Sequence, residues 1–534
     1  MAPSPFLSLP WELRHKIYRE YFTIDNGYAF QPGPGKLAAF NGKPLDLSLV
    51  YTCRFIASET KHMPLALNAI SFSTVYHPEW RAWAGRFDYL LRHQEQERCV
   101  LLFHLFRFIT PEMFSEIEKR FFWFPPVLRE SVERNNGLRW PLLNGVSGYW
   151  PFCPFLKRLR NPFHGTSPSI SSIYSAIDFT LRLLAQGSYS NPELIREIQN
   201  AMEHFRIPTG LTGFLDQTFA PWDVPDWDDL DRVGKRLFDD EQWRSVCEWQ
   251  SQIFNRSKFK ARFRFSATSV AIRFLKHLPL DQRLCIRELD ILEDGVAVGQ
   301  QERHSFGLIP FCQENPQLKI SLQLSMLKHV FQAVNLESHG SQHDIFGIAH
   351  ISNNAALARA CSGAFETVEN WLVEAMALAD AGMPEGSFTL TLDGEPCIDL
   401  CTDVFQEVIL WKVSMQQAAD RQFSWLPETA QPDWLSKTVN PYSISAFEHL
   451  VNQTSILRSN FHPGKMWNID KLIADRHEYD RLQWEKDLFE PPRYRVKASA
   501  HWLPLRTLLI ENYDLYYPPR YRKNRPSRYT GWRD

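Results

Sequence analysis

The chain has 534 residues, 44% of them hydrophobic and 22% charged, ordinary globular values that exclude a disordered polymer and allow more than one domain. Its 59 Lys and Arg against 61 Asp and Glu leave a net charge of −2, which excludes a global field that would gather nucleic acid or an anionic membrane; neither is an expected partner. Nine cysteines, an odd count with no CxxC pair in a chain too long to need disulfide staples, predict reduced thiols. With no leader pattern at the N-terminus and no apolar run of about 18 residues, the expected location is cytoplasmic or nuclear.

The first element is the most informative. LSLPWELRHKIYREYF places Pro10 in a first helical turn, where its missing N–H is harmless, and Glu12 near the positive end of the helix dipole. Leu9, Leu13, Ile17 and Tyr21, joined by Phe22, form one apolar stripe, while Arg14, His15, Lys16 and Arg19 fill the other faces. Residues 25–44 carry Asn26-Gly27, PGPGK and Asn41-Gly42, which predict a loop. A second helix is predicted from Asp46 to about His62, with Leu49, Val50, Cys53 and Ile56 as its stripe. Two helices this short need their stripes buried against something, in this chain or another.

The pattern Leu9-Pro10-x-Glu12-Leu13, then Ile17, Tyr21 and Phe22, then Asp46-Leu47, Val50, Cys53-Arg54 and Ile56, resembles the F-box module, most closely the F-box-like N-termini of large fungal proteins. The resemblance covers residues 6–62, and the Thr23–Pro44 insertion departs from the family's spacing. It implies docking on the small adaptor subunit of a cullin–RING (SCF-type) ubiquitin ligase through Leu9, Pro10, Glu12, Leu13, Ile17, Tyr21, Leu47, Val50, Cys53 and Ile56. The rest of the chain would then receive a protein substrate.

Beyond the module, AISFSTVY at 69–76 reads as a strand, and 98–124 as a buried helical pair broken at Thr110-Pro111. Residues 135–168, rich in Asn, Gly, Pro and aromatics, read as irregular connection; helices resume at about 169–187 and 192–206. In 221–238, Asp226, Asp228, Asp229 and Asp231 precede Arg232, Lys235 and Arg236, a charge order that suits a helix dipole better than a metal site. Strands are predicted around Leu289–Ile291 and Phe388–Leu392, and long helices at 355–380 and 400–419. No fixed period of repeats is found.

The expected class is therefore α+β, predominantly helical, with no repeat architecture. The expected domains are an F-box-like module at 6–62 with a 23–44 loop, a mainly helical region at 63–260, an α+β region at 261–430, a C-terminal helical region at 431–518 and a basic tail at 519–534. In that tail six Lys and Arg interleave with Tyr521, Tyr529 and Trp532, a composition compatible with nuclear import or single-stranded nucleic acid but ordinary for a solvated tail.

The candidate chemical motifs fail on their chemistry. His339, His343 and His350 echo a zinc-protease helix, but Gly340 stands near where a Glu must activate water. Cys397 and Cys401 lack a second ligand pair and read as buried thiols. Gly35-Lys36 and Gly42-Lys43 do not complete a phosphate loop, and no GxSxG elbow appears. The expectation is a non-enzymatic interaction protein without metal or cofactor. The alternative is an enzyme or ligand-binding protein whose N-terminal helices belong to its core.

Overall fold

In KISLQLS and FTLTLD every second side chain is apolar, and ELDILE alternates the same way as far as Ile291, which suits strands packed on one face. The computed structural model describes residues 5–135, 169–332, 353–426, 441–489 and 511–516, apart from 34, 75, 189–190, 205–209, 217–218, 247, 249 and 252–257. The aromatic connection at 136–168, the three histidines at 339–350 and the basic tail lie outside the described residues.

The described chain is predominantly helical α+β. A seven-stranded sheet is built from β1 (Tyr28–Gln31), β2 (Lys36–Ala39), β3 (Ile70–Ser73), β6 (Glu288–Glu293), β7 (Lys319–Ser325), β8 (Phe388–Asp393) and β9 (Leu457–Ser459) in the order β2-β1-β3-β6-β7-β8-β9. A second, three-stranded antiparallel sheet joins β4 (Gln250–Ser251), β5 (Lys258–Ala261) and β10 (Tyr513–Tyr516). In the large sheet only the β1–β2 pairing is antiparallel.

From β1 to β9 the parallel strands follow chain order across the sheet. A crossover between parallel strands is right-handed, so steps that all move in one direction place their connecting helices on one face. The residue pattern agrees. Ile70, Leu289, Ile320 and Phe388 share one register row, and Phe72, Ile291, Leu322, Leu390 and Leu457 the next; all are buried in the main core. Phe274, on the helix Ala267–His277, packs its ring on Phe72 from that side. The opposite face carries Ser71, Asp290, Ser321 and Thr389, then Ser73, Leu292, Gln323, Thr391 and Arg458, all half-buried. Parallel sheets are usually apolar on both faces, so this alternation distinguishes an apolar inner face from a polar, half-buried one among the described residues.

The stretch read as a loop at 25–44 instead holds the β1–β2 hairpin, so the N-terminal helices feed directly into the large sheet. Asn26 and Gly27 both have positive φ, and a Cβ at Gly27 would meet the carbonyl of Ala69, so only glycine allows β1 to approach β3 this closely. Asn68 clamps the same joint. Its amide donates to the carbonyls of Phe22 and Pro64 at 2.8 Å and accepts from Ile24 N–H at 2.8 Å.

Of the predicted buried pair, α4 (Arg81–Leu105) is buried along most of its length, whereas the helix at Pro111–Arg120 buries only Ile117 and keeps its other faces at the surface. They are separated where expected, with Thr110 capping Met113 N–H at 3.3 Å. In the acidic-then-basic stretch, the helix Trp227–Leu237 has the half-buried Asp231 bonded to Lys235 and to the buried Trp243, while Asp226, Asp228 and Asp229 stay exposed.

Candidate protein-interaction surface

Helix α1 (Trp11–Phe22) turns the side with Arg14, Tyr18 and Phe22 inward. Successive residues are about 100° apart on a helix, so Leu13, Ile17 and Tyr21 form one stripe and Arg14, Tyr18 and Phe22 the next. The buried stripe is the second. Tyr18 and Phe22 pack with Ile56 and Met63 in a small core of their own, edged by Phe6, Leu7, Leu47, Leu49, Val50 and Leu67. The more apolar stripe is left outside, with Leu13 47% and Ile17 44% exposed and Tyr21 also in solvent. Full burial of a Leu or Ile stabilises a fold by about 1.5–3 kcal/mol, so the orientation forgoes a substantial gain that a core-forming helix would take.

Polar geometry at the buried stripe accounts for this. Arg14 is only 7% exposed, and its guanidinium grips Glu59 through Nε to Oε2 at 3.1 Å and Nη2 to Oε1 at 2.5 Å. Nη1 donates to the Leu9 carbonyl at 2.5 Å, and Tyr18 donates its hydroxyl to Glu59 Oε2 at 2.8 Å. The Arg14 guanidinium holds the Glu59 carboxyl below the usual carboxylate range, while burial, helped by that carboxylate, pushes the Tyr18 phenol up to about 12.

The second predicted helix resolves into a 3-10 turn (Ser48–Tyr51), then α2 (Arg54–Thr60) and α3 (Met63–Leu67). Asp46 accepts from Ser48 N–H at 3.0 Å but is not the N-cap, which is Leu47, and only a 3-10 turn follows. Ile56, predicted on the docking stripe, is instead buried against Tyr18 and Phe22, because α2 begins eight residues after Asp46 and turns that side inward. Leu9, Leu47 and Val50 are half-buried, while Pro10, Glu12 and Cys53 are exposed. Besides Trp11 on α1, two more aromatic residues are exposed here: Tyr51 at 80% and Phe55 at 49%. Both lie by α1, since Phe55 packs under the Arg14 guanidinium and the Tyr21 hydroxyl shares a 3.0 Å hydrogen bond with Ser48. The exposed apolar side chains of this region are thus Leu13, Ile17 and Tyr21 on α1, with Tyr51 and Phe55 on the segment that packs beside it.

A second constellation sits at the C-terminal ends of β3 and β6, where open parallel sheets often bind ligands. Ser266 and Ser269 face His304 Nδ1 at 2.6 and 3.0 Å, and His304 Nε2 faces the Gly299 carbonyl at 2.9 Å. The carbonyl can only accept, so Nε2 carries the proton and Nδ1 receives a serine hydroxyl. Burial pushes the His304 pKa down to about 3, leaving the ring neutral. Ser266 also caps the helix Ala267–His277 through Ser269 N–H. Beside it, the fully buried Glu293 accepts from Ala267 N–H at 3.2 Å and Thr268 N–H at 2.9 Å, and from Thr74, Thr268 and Gln301 side chains. These groups satisfy one another out of contact with solvent, which makes them a structural joint between sheet and helix. Cys397 and Cys401 are buried thiols of the main core.

Among the described residues no cluster of His, Cys, Asp and Glu could hold a metal ion, and no helix is long and apolar enough to cross a membrane. No protein-family model matches the chain, and no curated protein and no solved structure is significantly similar to it.

Proposed function

We propose that this is an F-box-like protein-interaction protein of the cytoplasm or nucleus. Its α1 stripe docks the small adaptor subunit of a cullin–RING ubiquitin ligase, and its body receives a protein substrate. The chain contributes placement rather than chemistry. The observation that carries this reading is the outward stripe Leu13–Ile17–Tyr21, left in solvent while the buried Arg14 faces the half-buried Glu59. Compared with the full set of family-matching positions, the docking surface loses Ile56 and gains Tyr51 and Phe55, aromatic residues of the kind that dominate interface energetics. For the substrate, the reading assigns the polar face of the large sheet, which offers hydroxyls, Gln323, Asp290 and Arg458 in regular rows.

The test is reconstitution with a purified ligase adaptor. The intact chain is expected to form a complex at micromolar concentration, and Leu13→Asp with Ile17→Asp to weaken it about 100-fold or more while circular dichroism and melting stay unchanged. No complex with the intact chain, or equal binding by the double variant, would remove the adaptor reading.

A further inference from the structure

We infer that Arg14 and Glu59, with Tyr18, are positioning residues that choose which face of α1 the protein presents. The two stripes of α1 differ by one residue, so a turn of about 100° about the helix axis would exchange Leu13, Ile17 and Tyr21 for Arg14, Tyr18 and Phe22 in the same contact with α2 and α3. By hydrophobicity alone the exchanged state competes with the observed one, since with one Tyr replacing another it would bury a Leu and an Ile in place of Phe22 and a guanidinium.

What opposes it is geometric. Only the observed rotation lets the planar guanidinium meet both oxygens of Glu59 and the Leu9 carbonyl, and lets the Tyr18 hydroxyl complete the carboxylate's partners. In the exchanged state Glu59, itself held inward, would face Leu13 and Ile17, a carboxylate with no donor. The pair thus works against the wrong orientation more than for the fold: it makes burial of the docking stripe carry an unpaired charge. Glu59 lies 45 residues from Arg14 in sequence, so the selection is tertiary and acts only once α2 has packed.

The inference concerns orientation; it rests on the proposed docking role only for its consequence, so its readout is chemical rather than capture of the adaptor. Ile17→Cys in the full chain supplies a thiol on the outward stripe, and the native Cys53, already exposed, serves as an internal reference. Alkylation is followed peptide by peptide by mass spectrometry, with and without Arg14→Met plus Glu59→Leu, which removes both charges together and leaves neither unpaired. Removal of the pair is expected to slow alkylation at position 17 roughly tenfold relative to Cys53 and to abolish adaptor binding, as a shifted population between two packed states requires. Glu59→Gln, which keeps the shape and loses the charge, is expected to fall between.

An unchanged rate at position 17 in a folded protein would overturn the inference, showing that Tyr18, Phe22 and Ile56 set the face by packing alone. So would loss of hydrogen-exchange protection across 11–22 in both variants, because rotation requires the helix to persist. If the rate switches yet the intact chain captures no adaptor, the docking reading falls and the orientation role stands.

Discussion

The N-terminal helices and the large sheet follow opposite rules. In the sheet the apolar rows of β3, β6, β7 and β8 lie inside and the polar rows outside, as area removed from water dictates. In α1 the apolar stripe is outside and a row beginning with arginine is inside. The difference teaches that an amphipathic pattern identifies a stripe without saying what will cover it. Where a partly buried ion pair competes with hydrophobic burial, the pair can decide the orientation, and the surplus apolar surface is then free for a partner.

The largest expected effect comes from breaking the rule in the sheet. Leu322 on β7 is fully buried, in register between Ile291 and Leu390, and Leu322→Ala should cost about 2–5 kcal/mol in urea unfolding, the range for an aliphatic core cavity. A loss near zero would mean that the inner row is not the core.

Glu293→Ala comes next. It would leave the Ala267 and Thr268 N–H groups and three side-chain donors facing a void, for an expected loss of about 1–3 kcal/mol or more. Glu293→Gln should recover part of it, since an amide oxygen can still accept from the helix start. Recovery by added acetate in the alanine variant would show that the helix N-terminus needs the anion.

Acid should reach the two regions in different windows. His304 titrates near 3 and His329 near 4 in the folded chain, both below the ordinary histidine value. Their stabilising share is complete above the unfolded value of about 6.5 and is lost as pH falls below it, at up to about 1.4 kcal/mol per pH unit for each ring. Glu369, Glu374 and Asp420, held up at about 7 by burial, pull the other way. The signature is therefore the difference between wild type and His304→Gln, whose stability should fall less steeply from pH 6.5 to 4. Glu59 acts lower. Its carboxyl is depressed by Arg14, so its share is present above the ordinary carboxylate range and lost as pH falls through its folded value. Hydrogen exchange along α1 should rise there, after the histidine window has been crossed.

Much of this architecture is legible in the sequence, and the rest fails for identifiable reasons. Alternation alone finds β3, β6 and β8, and Thr110-Pro111 and Asn191-Pro192 mark helix starts that form as expected. β7 alternates equally well at Ile320, Leu322 and Leu324, while the β1–β2 hairpin is two strands of four residues hidden between turn dipeptides. Its parallel partner β3 is contributed by residues 70–71, a pairing that no local window contains. The one-sided winding was equally invisible, because the strands begin at Ile70, Glu288, Lys319, Phe388 and Leu457 without a fixed period. At the candidate site the stripe Leu13–Ile17–Tyr21 was plain, but its exposure was not. That depends on Arg14 meeting Glu59, and Arg14 reads locally as one more polar face residue.

The smallest effect is also the sharpest test of the contrast. Leu13→Ser with Ile17→Ser removes two large aliphatic side chains, the same kind of change that is expensive at Leu322. Both positions are about half exposed, neither belongs to the small core of Tyr18, Phe22, Ile56 and Met63, and Arg14 with Glu59 is untouched. Serine lowers helix propensity by a few tenths of a kcal/mol, and relief of exposed apolar surface offsets part of it, so the stability change should stay within about 0.5 kcal/mol per site. Self-association at high concentration should decrease, which sedimentation would show. A loss of several kcal/mol would mean that these side chains are covered in solution, and α1 would then obey the same rule as the sheet.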